Sequence, residues 1–197
     1  MTTNPQSKLN PTRCFGTGSA VYEAYHDYEW GVPVHDDRQL FELLILEGAQ
    51  AGLNWKMILK RRESYRVAFD NFAIERVASY RKRQITTLLE NKGLIRNKLK
   101  IQAAVTNARV ALKIQKEFGS LDRHLWGFVD GSPLQTDRFS ACDVPSISAE
   151  SIRISKDLKQ RGMSFVGPTI MYAFMQSTGM VNDHYMSCFR FNAIKKL

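Results

Sequence analysis

Four residues of types that bind zinc stand in two pairs at opposite ends of the sequence. Cys14 and His26 lie near its start, and His184 and Cys188 lie four positions apart near its end. On a helical turn, an i, i+4 spacing would place His184 and Cys188 on one face. Two Cys and two His complete a closed tetrahedral set, which is typical of structural zinc sites. The alternative is that the histidines are core residues and the cysteines small buried hydrophobes, because one H-x3-C motif is short.

One carboxylate falls on the apolar face of a predicted helix. At about 100° per residue, Glu47 shares a side of the 37–50 helix with Leu40, Leu43 and Leu44. A buried carboxylate is costly unless a cation or a hydrogen-bond donor meets it. Several aromatic residues lie nearby in sequence, namely Tyr22, Tyr25, Trp30 and Trp55. Aromatic faces beside one negative charge suit a flat, positively charged ring such as an alkylated purine. The alternatives are a solvent-facing Glu47 at a fraying helix end and an ordinary aromatic core.

A basic turn between two predicted helices is a candidate phosphate-binding element. One helix is predicted to end near Asn91 and the next to begin at Asn97, after the turn Gly93-Leu94-Ile95-Arg96. Exposed turn amides and a helix N-terminus can hold a phosphate, and Arg96, Lys98 and Lys100 add long-range attraction. A two-helix turn with one glycine is common in helical bundles, so this feature alone does not specify a nucleic-acid partner.

The net charge indicates a polyanionic partner. The 197 residues include 28 Lys and Arg against 19 Asp and Glu, which gives a formal net charge of +9. Residues 51–100 hold most of the excess, with 13 basic and 4 acidic residues, whereas residues 1–50 are net acidic. A protein with this charge attracts nucleic acid. A membrane surface is the less favoured partner, because the apolar face of the 56–66 stretch is needed for packing.

Helical patterning runs through nearly the whole chain and predicts the all-α class. Residues 1–12 are predicted to be a flexible tail and residues 13–197 one monomeric domain. The longest predicted loop is 130–147, which contains Gly131, Pro133 and Pro145. Helices are predicted over 37–50, 54–70, 74–79, 81–91 and 97–118, in a short segment after Ser120, from Ser148 to Gly162 and from Pro168 to Gly179.

Absent features narrow the class of protein further. No stretch approaches the roughly 18 apolar residues of a membrane span, and the polar N-terminal segment lacks the apolar centre of a signal peptide. The sequence therefore predicts a cytoplasmic protein with no membrane partner. In that reducing compartment, three cysteines are expected to be free thiols or metal ligands rather than a disulfide framework.

Several segments of the chain resemble the DNA-3-methyladenine glycosylase I family. They follow the family's order over about residues 13–190, which makes the resemblance highly specific. The segments are Arg13-Cys14, Tyr22-Glu-Ala-Tyr-His-Asp-Tyr-Glu-Trp-Gly-Val-Pro33, Leu46-Glu-Gly-Ala-Gln-Ala-Gly-Leu-Asn-Trp55, Lys60-Arg-Arg-Glu-Ser-Tyr-Arg66, Gly93-Leu-Ile-Arg-Asn-Lys98, Phe165-Val-Gly-Pro-Thr-Ile170, and Gly179-Met-Val-Asn-Asp-His184 with Cys188.

The resemblance implies a single-domain, all-α helix-hairpin-helix glycosylase with one structural zinc ion joining its N- and C-terminal segments. It implies that the zinc ligands are Cys14, His26, His184 and Cys188. The implied base pocket consists of Tyr22, Tyr25, Glu47 and Trp55, with Glu47 as the catalytic residue. Leu53, on the Gly52-Leu53 turn, would fill the gap left by a flipped nucleotide, although a core role is the alternative. The remaining implied DNA contacts are Gly93, Arg96, Lys98 and Lys100.

The implied activity is base-excision repair of double-stranded DNA. The enzyme would hydrolyse the N-glycosidic bond of 3-methyladenine, release the free base and leave an abasic site. The family lacks the lysine used by the lyases of the wider superfamily, so the glycosylase is expected to be monofunctional. A non-catalytic, zinc-stapled sensor or binding module for alkylated DNA is the alternative. The sequence departs from the family at Phe15, where many members have a tryptophan, at Pro168, and in the absence of a second hairpin glycine.

Overall fold

The computed structural model describes residues 12–197, and residues 1–11 lie outside the described part of the chain. The predicted tail of residues 1–12 is therefore described only at Thr12, whose carbonyl accepts a hydrogen bond from the Phe189 N–H at 3.2 Å. Within the described residues, the α-helices are α1 (Ala20–Tyr28), α2 (Asp37–Gln50), α3 (Trp55–Leu59), α4 (Arg62–Ala68), α5 (Ile74–Ala78), α6 (Lys82–Glu90), α7 (Lys98–Phe118), α8 (Leu121–Trp126), α9 (Ala149–Gln160), α10 (Pro168–Ser177) and α11 (Phe191–Ile194).

The two helices that organise the molecule begin where their capping residues predict. The Asp36 side chain accepts a hydrogen bond from the Gln39 N–H at the start of α2. The Asn97 side chain accepts a hydrogen bond from the Lys100 N–H at the start of α7. Gly119 follows the last residue of α7 and ends the helix, and its φ of 90° favours glycine. Both helices bury an apolar face, so the predicted helices over 37–50 and 97–118 are confirmed.

The predicted helix over 54–70 is wrong as a single element. The chain forms α3 and α4 instead, and the break falls at Lys60 and Arg61. No glycine or proline marks this break, and the charged and polar residues 60–64 that span it are compatible with a helix, so the sequence contains no residue that predicts a boundary. The break lets α3, which buries Trp55 and Ile58, pack against α1 and α2, while α4, which buries Tyr65, packs against the turn at Asp70–Phe72.

A short pair of parallel strands holds the long 130–147 segment in place. Strand β1 (Leu134–Gln135) pairs with β2 (Val181–Asn182), with Leu134 opposite Val181. An isolated bridge between Arg138 and Tyr185 extends this contact. These strands are too short to change the class, so the all-α prediction is confirmed. Across residues 12–197, no helix is both long enough and apolar enough to cross a membrane.

Helix α2 lies at the centre of the core. It packs against α3, α7, α8 and α10. Leu40, Phe41 and Leu46 along α2 are completely buried. This position fixes the last turn of α2, which carries Glu47, inside the protein rather than at a fraying end.

Candidate active site and metal centre

A cavity of about 360 Å³ opens beside the last turn of α2. Its size is in the range of small-molecule sites. The walls come from α1, α2, α3 and α10, the N-terminal segment, and the 130–147 segment. They are formed by Cys14, Phe15, Tyr22, Tyr25, Trp30, Glu47, Gln50, Trp55, Ala141, Val144, Ala173, Gln176 and Tyr185. The structure thus brings all four predicted base-pocket residues, Tyr22, Tyr25, Glu47 and Trp55, to one cavity.

Glu47 is a buried carboxyl group without a charged partner. Its side chain is 4% exposed, and no basic side chain in residues 12–197 forms an ion pair with it. Burial raises the pKa of Glu47 to about 8, against a smaller lowering effect of the Ser177 hydroxyl. A buried carboxyl group of this kind, at the wall of a cavity, is typical of a site that receives a ligand.

Aromatic rings surround this carboxyl group on one side of the cavity. The rings of Tyr22 and Tyr25 are nearly parallel, with centroids 6.4 Å apart. The Trp55 ring lies 5.6 Å from Tyr25, and its buried Nε1 has no hydrogen-bond partner among the described residues. Phe15 lies 4.9 Å from Tyr22 and 4.9 Å from Trp30, so it fills part of the same wall. The site can therefore hold a flat ring against an aromatic face and offer it the Glu47 carboxyl group as an acceptor.

The four predicted metal ligands converge next to this cavity. One ligand atom from each of Cys14, His26, His184 and Cys188 lies within 4.8 Å of the other three. Cys14 Sγ is 3.6 Å from His184 Nδ1, and Cys188 Sγ is 3.5 Å from both His184 Nδ1 and His26 Nε2. A tetrahedral zinc ion, with Zn–S of about 2.3 Å and Zn–N of about 2.0–2.1 Å, requires S–N separations of about 3.5–3.6 Å. The donor set therefore fits a tetrahedral metal ion.

Neighbouring groups orient the two histidine rings for this role. His26 Nδ1 lies 2.8 Å from an Asp27 carboxylate oxygen, and Arg13 holds that carboxylate with two further hydrogen bonds. The other ring nitrogen of His184, Nε2, lies 3.0 Å from the Trp30 carbonyl oxygen. These contacts leave His26 Nε2 and His184 Nδ1 for a metal, as is usual for histidine ligands.

The expected helical turn between His184 and Cys188 is absent. His184 follows strand β2, and Cys188 sits in a turn in which its N–H donates to the Tyr185 carbonyl at 2.7 Å. The i, i+4 spacing brings the two side chains together through this turn instead of through a helix. The prediction that His184 and Cys188 lie close together is confirmed. The prediction that a helical turn brings them together is wrong.

Leu53 lies on an exposed turn just after the end of α2. Gly52 has a φ of +74°, which favours glycine, and the Leu53 side chain is 39% exposed. A second concavity of about 320 Å³ is bordered by Leu53 and shares Glu47, Gln50 and Ala173 with the first. The alternative of a core role for Leu53 is thereby excluded.

The turn between α6 and α7 presents fewer free groups than its sequence indicates. The Gly93 N–H donates to the Asn91 side chain at 2.8 Å, and the Ile95 N–H donates to the Tyr65 hydroxyl at 3.2 Å. A Cβ on Gly93 would lie 2.8 Å from Ser64, so this glycine allows close packing against α4. Arg96 and Lys98 are exposed at the start of α7.

Lys100 differs from these two cations because its side chain turns inward. Its Nζ donates to the carbonyl oxygens of Ala49 at 2.8 Å and Ala51 at 2.7 Å. These carbonyls belong to the end of α2, which has no basic residue in its own last turn. Desolvation lowers the pKa of Lys100. The described structure thus gives Lys100 an internal contact that its place in a basic turn did not predict.

Sequence reasoning missed Gln176 and Asp183 at this site. Gln176 lines the cavity, and its Nε2 donates to Asp183 Oδ2 at 2.9 Å. Asp183 is completely buried and is followed by His184, one of the four predicted metal ligands. No spacing between Asp183 and other polar residues marks it as a site residue in the sequence. The only signal is that it lies in the Gly179–His184 segment, which resembles the family.

Comparison with known proteins places the chain among the DNA glycosylases. Residues 15–191 match the sequence profile of the methyladenine glycosylase family. The chain is 43% identical over 168 residues to DNA-3-methyladenine glycosylase 1 of Escherichia coli K12, covering 85% of this chain and 90% of that protein. It is 43% identical over 178 residues to DNA-3-methyladenine glycosylase of Haemophilus influenzae Rd, covering 90% and 96%. The chain belongs to the methyladenine glycosylase family.

Solved structures agree with this assignment. A crystal structure of 3-methyladenine DNA glycosylase I is 45% identical, with a TM-score of 0.88, and the match covers 90% of this chain and 98% of that chain. A variant of 3-methyladenine DNA glycosylase I in complex with 3-methyladenine is 36% identical, also with a TM-score of 0.88, and the match covers 90% and 96%. The resemblance noted in the sequence is therefore confirmed at the level of family and fold.

Proposed function

We propose that this protein is a base-excision repair enzyme that removes 3-methyladenine from alkylated double-stranded DNA. It hydrolyses the N-glycosidic bond, releases the free base and leaves an abasic site. The observation that supports this most directly is the buried, unpaired carboxyl group of Glu47 inside an aromatic cavity.

The cavity suits a flipped, positively charged base. Extrusion of a nucleotide from the duplex is least costly for a damaged base. The base would stack on Trp55, with Tyr22 and Tyr25 nearby, and Glu47 would accept hydrogen bonds from the adenine edge. Methylation at N3 gives the base a positive charge, which favours the ionised form of Glu47 and makes the base a good leaving group. A neutral adenine offers neither advantage.

The chemistry needs little acid catalysis from the protein. The departing base already carries the charge that a general acid would supply. The cavity positions the sugar and the attacking water, and the phosphates of the DNA stabilise the developing positive charge on the sugar. The described lining of the cavity contains no lysine that could form a Schiff base with the sugar. This supports a monofunctional glycosylase.

Leu53 and the α6–α7 turn would form the DNA interface. Leu53 is exposed beside the second concavity, which shares Glu47 with the base cavity, and an apolar side chain there can fill the gap left by a flipped base. Arg96 and Lys98 are exposed at the N-terminal end of a 21-residue helix, which favours phosphate binding. Gly93 shapes the helix-hairpin-helix turn, because its N–H is held by Asn91. Lys100 supports the Leu53 turn from behind through its contact with Ala51.

We infer that the four-ligand site binds one structural zinc ion. Cys14, His26, His184 and Cys188 would hold the metal with no open position for a substrate. When bound, the ion supplies a cross-link between the N- and C-terminal segments. Metal analysis of the purified full-length chain should find about one zinc per molecule, and removal by a chelator should lower the unfolding temperature. Absence of zinc would contradict this inference.

Release of free 3-methyladenine from methylated duplex DNA tests the proposed activity. The wild-type protein should release the base and leave alkali-labile abasic sites. Borohydride should trap no covalent complex with DNA, and a trapped complex would contradict the monofunctional mechanism. Binding to methylated DNA without base release would instead identify a non-catalytic sensor of alkylation damage.

A further inference from the structure

Gln176 borders the same cavity as Glu47, and its side chain is held from behind. The amide Nε2 donates to Asp183 Oδ2 at 2.9 Å. Among the described residues, no donor contacts the Gln176 carbonyl oxygen, Oε1. Because Gln176 lines the cavity and its nitrogen is held by Asp183, Oε1 is the amide atom left to accept a hydrogen bond from a bound base.

The hydrogen bonds of Asp183 prevent the Gln176 amide from flipping so that Oε1 and Nε2 exchange places. Oδ1 of Asp183 accepts from Thr136 Oγ1 and Arg138 Nε, both at 3.0 Å. Oδ2 accepts from the Tyr172 hydroxyl at 2.6 Å as well as from Gln176. Asp183 also forms an ion pair with Arg138, and both of its carboxylate oxygens meet hydrogen-bond donors. A reversed amide would place Oε1 against Oδ2 of Asp183, an acceptor facing an acceptor, and would remove one of the two hydrogen bonds that Oδ2 accepts.

Glu47 does not have this rigidity. Its carboxyl group can be protonated near neutral pH, because burial raises its pKa to about 8. A protonated carboxyl group can donate a hydrogen bond as well as accept one, so Glu47 alone could adapt to either kind of base edge. The cavity therefore contains one adaptable group and one fixed acceptor.

We propose that Gln176 is a specificity-determining residue that selects bases with an exocyclic amino group over bases with a carbonyl oxygen at the same position. Adenine presents an amino group at C6, with two N–H bonds for the two acceptors. Guanine presents an oxygen at C6, which the fixed acceptor of Gln176 repels. Alkylated adenine is thus favoured over alkylated guanine. This inference rests on the proposed glycosylase function and assigns a residue to its selectivity.

The test compares release of 3-methyladenine and 3-methylguanine from methylated duplex DNA under single-turnover conditions. Gln176→Met removes the acceptor and keeps the length of the side chain. Release of 3-methyladenine should fall about tenfold, without a matching fall for 3-methylguanine. Gln160→Met is the matched control, because Gln160 is exposed at the end of α9 and does not line the cavity. Gln160→Met should leave the ratio of the two rates unchanged.

Two outcomes separate this inference from the proposed function. If the wild-type protein releases neither base, the glycosylase function itself is wrong. If the wild-type protein favours 3-methyladenine and Gln176→Met keeps the same ratio of rates, only the role of Gln176 is overturned. Should Gln176→Met fail to fold, Gln176→Asn provides the second variant. Its shorter side chain moves the amide oxygen away from the base, so the preference for 3-methyladenine over 3-methylguanine should be smaller than in the wild-type protein. An unchanged ratio of the two release rates overturns the inference.

Discussion

Two buried carboxyl groups, those of Asp183 and Glu47, show how this fold separates scaffold from function. Both are almost completely removed from solvent. Asp183 accepts hydrogen bonds from four side chains and pairs with Arg138. Glu47 has no such set of partners and lies at the wall of an aromatic cavity. A satisfied buried charge stabilises its surroundings, whereas an unsatisfied one costs stability and is retained where a ligand can supply the missing charge.

The largest loss of stability is expected when the carboxylate of Asp183 is removed. Asp183→Ala leaves the Arg138 guanidinium, the Tyr172 hydroxyl and the Gln176 amide without their acceptor. We expect the free energy of unfolding to fall by about 3–5 kcal/mol, measured by urea denaturation. Asp137→Ala, at an exposed position next to Arg138 in sequence, is the control and should change stability by less than about 0.5 kcal/mol. A loss below about 1 kcal/mol for Asp183→Ala would show that Asp183 is not a scaffold residue.

Glu47→Gln should raise the free energy of unfolding, in contrast to Asp183→Ala, and the size of this increase should depend on pH. Between its ordinary pKa of 4.5 and its folded value of about 8, Glu47 keeps its proton when folded and releases it on unfolding. The wild-type protein therefore loses stability as pH rises through this range, and the variant does not. We expect Glu47→Gln to be more stable than wild type by about 2–4 kcal/mol at pH 8 and nearly equal near pH 4.5.

Glu42→Gln is the matched control for this pH dependence. Glu42 lies on the same helix and is also buried, but it accepts a hydrogen bond from Arg66 Nε at 2.8 Å. Its replacement should destabilise the protein rather than stabilise it. If Glu47→Gln shows the same stability difference at pH 5 and pH 8, the carboxyl group of Glu47 is not held protonated by its burial.

A smaller effect is expected at Lys100, which separates internal support from DNA contact. Lys100→Met removes two hydrogen bonds to the end of α2, so stability should fall by about 1–2 kcal/mol. The salt dependence of DNA binding should stay unchanged. Lys98→Met should preserve stability and reduce the slope of log K against log salt by about one. Fluorescence anisotropy with an abasic duplex measures both slopes. A reduced slope for Lys100→Met would show that Lys100 contacts DNA.

The sequence predicted those parts of the molecule that depend on local chemistry. Helices α2 and α7 have capping residues and a regular apolar period, so their extents could be predicted. The four ligands and Glu47 could be chosen from residue type, spacing and family resemblance, and the structure brings them together. The boundary between α3 and α4 could not be predicted, because the two helices pack against different neighbours and no breaking residue separates them.

The roles of Gln176, Asp183 and Lys100 depend on contacts between distant segments. Asp183 is held by Arg138, 45 residues away in sequence. Lys100 contacts Ala49, 51 residues away, and the same residue type at Lys98 remains exposed. Neither charge nor spacing distinguishes a lysine that turns inward from one that faces DNA. Such assignments require the fold.

The most direct test of the proposed role of Glu47 is the single-turnover release of 3-methyladenine from methylated duplex DNA by Glu47→Gln. The variant should fold and bind an abasic duplex as the wild-type protein does, because Glu47 faces the base cavity. Its rate of 3-methyladenine release should fall by about tenfold or more, since a neutral amide cannot pair with the cationic base. A wild-type rate with unchanged selectivity would contradict the role of Glu47 as the group that reads the damaged base.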